Sequence, residues 1–404
     1  MTAKLFPCFQ PIIEIASGRV IGHEALARRR SVGGAIESAA DIFSDMSRSP
    51  GERLEADRRV RYQALERFAA DADNGFLCLN LSPEWIDQLE SLDRLPSLEM
   101  IREIGLDPHR VVLEITEHAG CVERIRDLAE QYRDAGVRIA YDDFGSGFQQ
   151  LDRLQAFTPD LIKLDLGMLH KGAGNAQKRI ILQQIGQMGA QLGSRIVCEG
   201  VETAEDFFLA LHCNASYVQG YLFEPALPEL AAADATCPRV RELLARHLDM
   251  TVEQTARRQW QSEGLHSSLQ ALRDLLLADA SPRALEHFHP ARGILRFYIC
   301  NRHGEQISPN YHFTEGHWHA DRSVIGNNWS WRPYFYQLIG SPDYARRVLH
   351  SSPYLDLGTG QPCITLSLAL DADRVMLVDV QTPEATLVSG TFHSELMPVQ
   401  TSEI

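Results

Sequence analysis

Acidic and amide side chains recur in the first half of the chain, each at the end of a short apolar run. They are Glu24 in Glu24-Ala25-Leu26, Asn80 in Asn80-Leu81-Ser82-Pro83, Glu114 and Glu117 in Glu114-Ile115-Thr116-Glu117, and Asp142-Asp143 ahead of Phe144-Gly145-Ser146-Gly147. Lys163 and Asp165 follow in Leu161-Ile162-Lys163-Leu164-Asp165, then Glu199 and Glu202 in Glu199-Gly200-Val201-Glu202, and Gln219 in Gln219-Gly220. Carboxylates and amides present hard oxygens, which suit Mg²⁺ or Mn²⁺. Gathered at strand ends they require a cation among them, because burying an unpaired charge costs several kcal/mol. With 39 basic against 54 acidic residues the formal charge is −15, so an anionic substrate needs local help, and metal is the means these residues suggest.

Spacing adds detail. Neighbouring strand residues face opposite ways, so Asp142 and Asp143 reach one site only if the chain bends there; Gly145 and Gly147 make that bend easy. Lys163 and Asp165 share a strand face, from which a lysine can hold a water or a phosphate oxygen. Singly, each residue has a plainer reading: Glu117 and Glu202 as helix caps, Gln219 as a loop tie, Lys163 as a partner for Asp165. Their joint placement is what indicates a site. Asp143-Phe144-Gly145 also spells the kinase metal motif, but the sequence has no glycine-rich phosphate loop before it and no His-Arg-Asp loop, so the kinase reading is set aside.

The elements that must position these residues are short β-branched runs, Phe76–Leu81, Val111–Thr116, Arg138–Asp142, Leu161–Asp165 and Arg195–Cys198, separated by helical stretches. A strand-like Arg19–Gly22 precedes Glu24. The alternation predicts an α/β fold with a largely parallel sheet. Polar residues at the carboxyl ends of successive strands favour a (β/α) barrel over an open sheet. Between about Pro225 and Arg292 the pattern turns helical, with Leu265, Leu269, Leu272 and Leu276 on one face. This connector either packs on a flanking domain or serves as a dimer or signalling helix. Ser281-Pro282 reads as an N-cap and first-turn proline. Beyond Gly293, strand-like Ile294–Cys300, Cys363–Leu370 and Val375–Val380, with turns at His303-Gly304 and Gly358-Thr359-Gly360, predict a small antiparallel α+β domain. The expected division is 1–230, 231–292 and 293–404.

A chain of 404 residues accommodates two packed units. Met1–Gln10 lacks signal-peptide features and no apolar run approaches about 18 residues, so the expectation is a cytoplasmic protein with no membrane segment. The acidic balance argues against a surface for polymeric nucleic acid. The 8 cysteines are scattered without a C-x-x-C pair and read as reduced and structural.

From Gln10 to about Phe223 the sequence resembles the EAL family of cyclic di-GMP phosphodiesterases. Gln10-Pro11-Ile12, Glu24-Ala25-Leu26, Asn80, Glu114-Ile115-Thr116-Glu117, Asp142-Asp143-Phe144-Gly145, Lys163, Glu199-Gly200-Val201-Glu202 and Gln219-Gly220 occur in the family's order. The resemblance implies a TIM-like (β/α)8 barrel with one reversed strand, two metal ions (Mg²⁺ or Mn²⁺), and cleavage of cyclic di-GMP to linear pGpG. Carried over, Glu24, Asn80, Glu114 and Asp142 hold one ion, and Asp142 with Asp143 the other. Lys163 positions the attacking water and Glu199 is the candidate general base. Glu202 supports the Glu199 segment and Glu117 the Asp142-Asp143 loop. Arg28 meets a substrate phosphate; Gln10, Asp165 and Gln219 complete the substrate contacts. Departures are Phe148-Gln149-Gln150, Ala27 and an early Pro225, none of them a ligand position.

The C-terminal stretch around Trp329-Ser330-Trp331-Arg332-Pro333-Tyr334-Phe335 resembles a PAS-like or Cache-like sensor domain, in which Arg332 would meet a small carboxylate ligand; Trp331 and Tyr334 as core aromatics are the equal alternative. His312, His317 and His319 read as loop histidines rather than a metal site. The rival to an enzyme is a silent cyclic di-GMP receptor signalling through the connector, or a scaffold with a vestigial barrel; the intact acidic set favours the enzyme. The connector and the resemblance also predict a homodimer.

Overall fold

The structure, a computed structural model, describes residues 4–45, 47–71, 75–81, 94–116, 122–144, 150–169, 175–279 and 282–382. The chain divides into two units, Met1–Leu248 and Asp249–Ile404.

The first unit contains β1 (Leu5–Glu14), β2 (Val20–Arg30), β3 (Ile36–Ser38), β4 (Phe76–Leu81), β5 (Val111–Thr116), β6 (Arg138–Asp142), β7 (Leu161–Asp165), β8 (Arg195–Glu199) and β9 (Tyr217–Val218). The strand order is β1-β9-β8-β7-β6-β5-β4-β2, with β3 beyond β2, and a β1–β2 pairing closes the barrel. From β2 and β4 round to β9 the pairs are parallel. Strand β1 runs antiparallel to both of its neighbours. It is the one reversed strand of an eight-stranded barrel, as the family resemblance implies.

Helices α1 (Ala40–Ser44), α2 (Pro50–Ala69), α3 (Pro96–Ile104), α4 (Val122–Asp134), α5 (Gln150–Ala156), α6 (Asn175–Gln191) and α7 (Ala204–His212) connect the strands. Two start at capping boxes: Ser49 with Glu52 for α2 and Thr203 with Asp206 for α7, each satisfying amides that have no partner within the helix. The barrel interior holds a buried apolar plug of Ile12, Phe76, Cys78, Val112, Ala140, Leu161, Val197 and Tyr217.

The sequence pattern suggested a strand ending at Gly22. Instead β2 continues to Arg30 and carries Glu24 and Arg28 within it. Its register with β1, Gln10 opposite Glu24 and Phe6 opposite Arg28, pairs the backbone throughout, and buried charge is tolerated where counter-charge surrounds it.

Helix α8 (Cys237–Ala278) begins in the first unit, where Val240 and Leu243 are buried and Thr236 Oγ1 donates to Gly18 O at 2.7 Å. In the second unit Leu269, Leu272 and Leu276 enter the core with Leu285, Phe297, Ile299, Leu366 and Val378, and Leu265 packs at its margin. The leucine face is therefore occupied by packing within this chain. Ser281 lies outside the described residues; Pro282 opens a 3-10 turn, Pro282–His287.

The second unit has β10 (Ile294–Asn301), β11 (Asn310–Thr314), β12 (His317–Asp321), α9 (Pro333–Ile339), β13 (Val348–His350), β14 (Tyr354–Leu355), β15 (Pro362–Ala369) and β16 (Arg374–Gln381). They form an antiparallel sheet ordered β12-β11-β10-β16-β15-β13, with β14 on β15. Both faces are covered. Phe297 and Ile299 join the leucines of α8, whereas Tyr298 and Cys300 pack with Tyr334, Phe335 and Leu338 of α9, as two-residue alternation requires. The α+β expectation holds. Tyr334 is core, but Trp331 is 63% exposed and the Arg332 guanidinium stacks on its ring. His317 and His319 are on strand β12 rather than in a loop, and His319 lies opposite His312 of β11.

Candidate active site

Alternation along the strands turns the apolar plug into a polar layer. Two residues beyond Cys78, Val112, Ala140, Leu161, Val197 and Tyr217 stand Asn80, Glu114, Asp142, Lys163, Glu199 and Gln219. On reversed β1 the step runs the other way, from Ile12 back to Gln10, and β2 contributes Glu24. Every barrel strand thus supplies one polar group to the mouth, the face on which barrel chemistry is built.

Lys163 is the hub. Its Nζ lies 2.6 Å from Glu199 Oε1, 2.7 Å from Glu114 Oε1, and 3.2 Å from both Glu24 Oε2 and Asp142 Oδ1. Lys163 is 1% exposed and Glu114 0%. Glu24 also accepts from Asn80 Nδ2 at 3.0 Å and from Gln219 Nε2 at 2.8 Å, and Gln219 Nε2 reaches Gln10 Oε1 at 3.2 Å. Gln10, Glu24, Asn80, Glu114, Asp142, Lys163, Glu199 and Gln219 therefore form one connected cluster.

Backbone geometry fixes its edges. Asp143 has φ of 53°, so the chain bends at Asp142-Asp143 as expected; Gly145 and Gly147 are outside the described residues. Phe144 N then donates to Lys163 O at 3.0 Å, fastening the turn to β7. Gly200, with φ of 65°, lets the chain turn after Glu199 past Gly167 and Asp165. At Gly220 a Cβ would lie 2.1 Å from Val201 O. That close approach allows Val201 N to donate to Gln219 O at 3.1 Å, which holds Gln219 over the layer.

The remaining expected residues lie at the margin. Asp165 Oδ1 accepts from Gly167 N at 2.7 Å and makes no ion pair with Lys163 among the described contacts. Arg28 donates to Ala27 O at 3.1 Å, further along β2. The Glu202 side chain is exposed; it is Thr203 and Asp206 that cap α7. Glu117 lies outside the described residues. Sequence reasoning missed Arg61 of α2, whose side chain is 2% exposed. It pairs with Asp57 and donates to Ser97 Oγ at 3.0 Å and to Asn80 O at 3.3 Å, bracing the end of β4. An arginine in the apolar register of a helix was the available signal.

Electrostatics follow from four carboxylates around one ammonium. Burial, then the charge of Glu24, pushes the Glu114 carboxyl well above the usual range. Burial, then Asp142 and Asp165, pushes Asp143 up to about 6. Burial opposes ionisation of Lys163, but Asp142, Glu114 and Glu24 outweigh it and hold its pKa well above the ordinary value. Burial likewise opposes the Glu24 carboxylate, and Lys163, Gln219 and Asn80 overcome it and hold its pKa down.

The donor set fits a hard divalent cation. Glu114 Oε1, Asp142 Oδ1 and Glu199 Oε1 are buried with the Lys163 ammonium as their shared partner, and Glu114 Oε2 is buried with no hydrogen-bond partner among the described residues. Buried oxygens in that condition call for additional positive charge. As placed, they surround the ammonium, and no three acidic, histidine or cysteine side chains among the described residues are arranged about a metal position.

The EAL-domain containing protein YkuI of Bacillus subtilis is 27% identical over 93% of this chain and 94% of its own length. Its crystal structure, described as a complex with substrate c-di-GMP and calcium, superposes with a TM-score of 0.82 at 25% identity, covering 94% of this chain and 96% of that one. The probable cyclic di-GMP phosphodiesterase PdeB of Escherichia coli is 28% identical over 55% of this chain, and a cyclic di-GMP phosphodiesterase of Pseudomonas aeruginosa 29% over 55%. This chain spans 42% and 38% of the lengths of those two enzymes. Residues 287–383 match the EAL-domain associated signalling protein domain. Residues 2–226 match the EAL domain, and the chain belongs to that family.

Proposed function

We propose that the protein hydrolyses cyclic di-GMP to linear pGpG in the mouth of its barrel. The observation that carries this reading is the polar layer itself: one group from every strand, with four carboxylates gathered on a single ammonium. Glu24, Asn80, Glu114 and Asp142 would hold one divalent cation, and Asp142 with Asp143 a second, with Mg²⁺ or Mn²⁺ as the candidates. Such ions supply Lewis acidity toward the phosphodiester.

The chain's own groups do the rest. One water adds to phosphorus, one P–O ester bond breaks, the water's proton leaves to Glu199, which is held in the layer by Lys163 at 2.6 Å, and the departing ribose oxygen takes a proton from solvent to end as a free hydroxyl beside the new phosphate monoester. Lys163 orients that water, and Gln10 and Gln219 line the substrate floor. Arg28, further out on β2, meets a phosphate, and Asp165 shapes the β7 turn against which the substrate rests. Glu202 supports the Glu199 segment and Glu117 the Asp143 loop.

The second unit would act as a PAS-like or Cache-like sensor with a small ligand near Arg332, in a cytoplasmic homodimer. The test of the main reading is turnover of cyclic di-GMP with Mg²⁺ or Mn²⁺ by the wild type, Glu24→Ala and Lys163→Ala. Metal-dependent pGpG, lost in both variants, supports it. Tight binding without product supports a receptor instead.

A further inference from the structure

We infer that the Lys163 ammonium is a built-in counter-cation, competing with divalent metal for the same carboxylates and so setting the metal affinity of the site. The inference rests on the metal reading given above. Lys163, on β7, touches carboxylates from four other strands: Glu24 on β2, Glu114 on β5, Asp142 on β6 and Glu199 on β8. Three of the four belong to the metal-holding set proposed above, so a metal and the ammonium seek the same oxygens. A divalent ion sharing those oxygens also sits close enough to Nζ for strong like-charge repulsion in a buried site.

One ammonium cannot neutralise four carboxylates. The excess negative charge draws in metal, and the ammonium tempers that attraction. Without metal, the same ammonium offsets the repulsion among carboxylates of which Glu24 and Glu114 are buried and Asp142 and Glu199 partly so. Lys163 would thus have two roles in tension: it supports the metal-free barrel, and it weakens metal binding in exchange for being at hand to orient the water. A lysine serving only to fill the barrel would have the first role without the second.

The experiment is calorimetric titration of the full chain with Mn²⁺, without nucleotide, alongside thermal unfolding in chelator, for the wild type, Lys163→Met and Lys163→Arg. Lys163→Met keeps much of the bulk and removes the charge. It should melt lower in chelator, bind Mn²⁺ roughly tenfold or more tightly than wild type, and gain more in Tm from the metal. Lys163→Arg keeps the charge and should stay within about threefold of wild type. Lys163→Met that is folded and binds Mn²⁺ no more tightly than wild type overturns the inference. If Lys163→Met is unfolded in chelator, Mn²⁺ must restore a cooperative transition at or below the concentration that half-saturates wild type; failure to do so also overturns it. A wild type that binds no Mn²⁺ removes the metal reading itself, a distinct result.

Discussion

Replacing Gly220 by alanine alters no side chain of the polar layer, yet it should disable the site. A Cβ there would lie 2.1 Å from Val201 O, 2.4 Å from Val201 N and 2.6 Å from Val201 C. All three are backbone atoms, so the two loops must separate. Overpacking of this kind costs about 1–3 kcal/mol. Separation also weakens two bonds, Val201 N to Gln219 O at 3.1 Å and Leu222 N to Val201 O at 3.0 Å, each worth about 1 kcal/mol. The expected loss of stability is about 3–5 kcal/mol in all. Displacing Gln219 removes its 2.8 Å hydrogen bond to Glu24. A bond to a charged group is worth about 1.5–3 kcal/mol, or roughly a 10- to 100-fold fall in kcat/KM if it is felt fully in the transition state. Urea denaturation and steady-state turnover of cyclic di-GMP read the two effects, and Gln219→Ala should reproduce the second with little of the first. A Gly220→Ala protein with wild-type stability and turnover would refute the reasoning that this close backbone approach positions Gln219.

Other consequences are testable separately. Leu272→Ala should cost about 2–5 kcal/mol by removing a fully buried side chain from the second unit's core, with no change of mass in light scattering, since that face packs within the chain; a change of mass with unaltered stability would contradict the packing. Arg296→Met should destabilise the second unit by about 3–5 kcal/mol, because Asp379 and Asp356 would lose the guanidinium between them; calorimetry in which the Asp356→Asn/Asp379→Asn background makes the loss no smaller would argue against the charge explanation. Asp143 titrates near 6 in the metal-free site, so below about pH 6 a metal must displace its proton, and Mn²⁺ affinity should fall by up to roughly tenfold per pH unit for that group. The sign for stability is the reverse. A carboxyl whose pKa is raised on folding makes the folded state bind more protons than the unfolded state between its ordinary pKa and about 6, so this group's contribution to metal-free stability falls as pH rises through that window. Asp143→Asn should flatten both trends, and an unchanged pH profile of Mn²⁺ binding would count against Asp143 as the titrating group.

The barrel was legible because two-residue alternation and acidic strand ends are local properties. Arg138–Asp142 and Leu161–Asp165 have the same bounds in sequence and structure. The partners of Lys163 were not legible. Asp165 shares its strand face but stands two residues further on, about 7 Å along the strand, whereas the groups that meet Lys163 come from β2, β5, β6 and β8, whose mutual register no local pattern encodes. The end of β2 differs for a related reason: Glu24 reads as a loop residue until Lys163 of β7 supplies its counter-charge, and Arg29 until Asp41 of α1 does. Arg61 was overlooked because its bond to Asn80 O spans 19 residues. The helical period of α8 was plain, but which core its leucines enter depends on strands read only weakly as a sheet. The bend expected at Asp142-Asp143 is there, and the residue that takes the left-handed conformation is Asp143.

The most direct measurement is hydrolysis of cyclic di-GMP in ¹⁸O-labelled water with Mn²⁺, followed by mass spectrometry of the nucleotides, with a chelated control. The account predicts linear pGpG carrying one ¹⁸O on its terminal phosphate, absent with chelator. Cyclic di-GMP that is bound but recovered unlabelled and intact would contradict it and make the barrel a receptor.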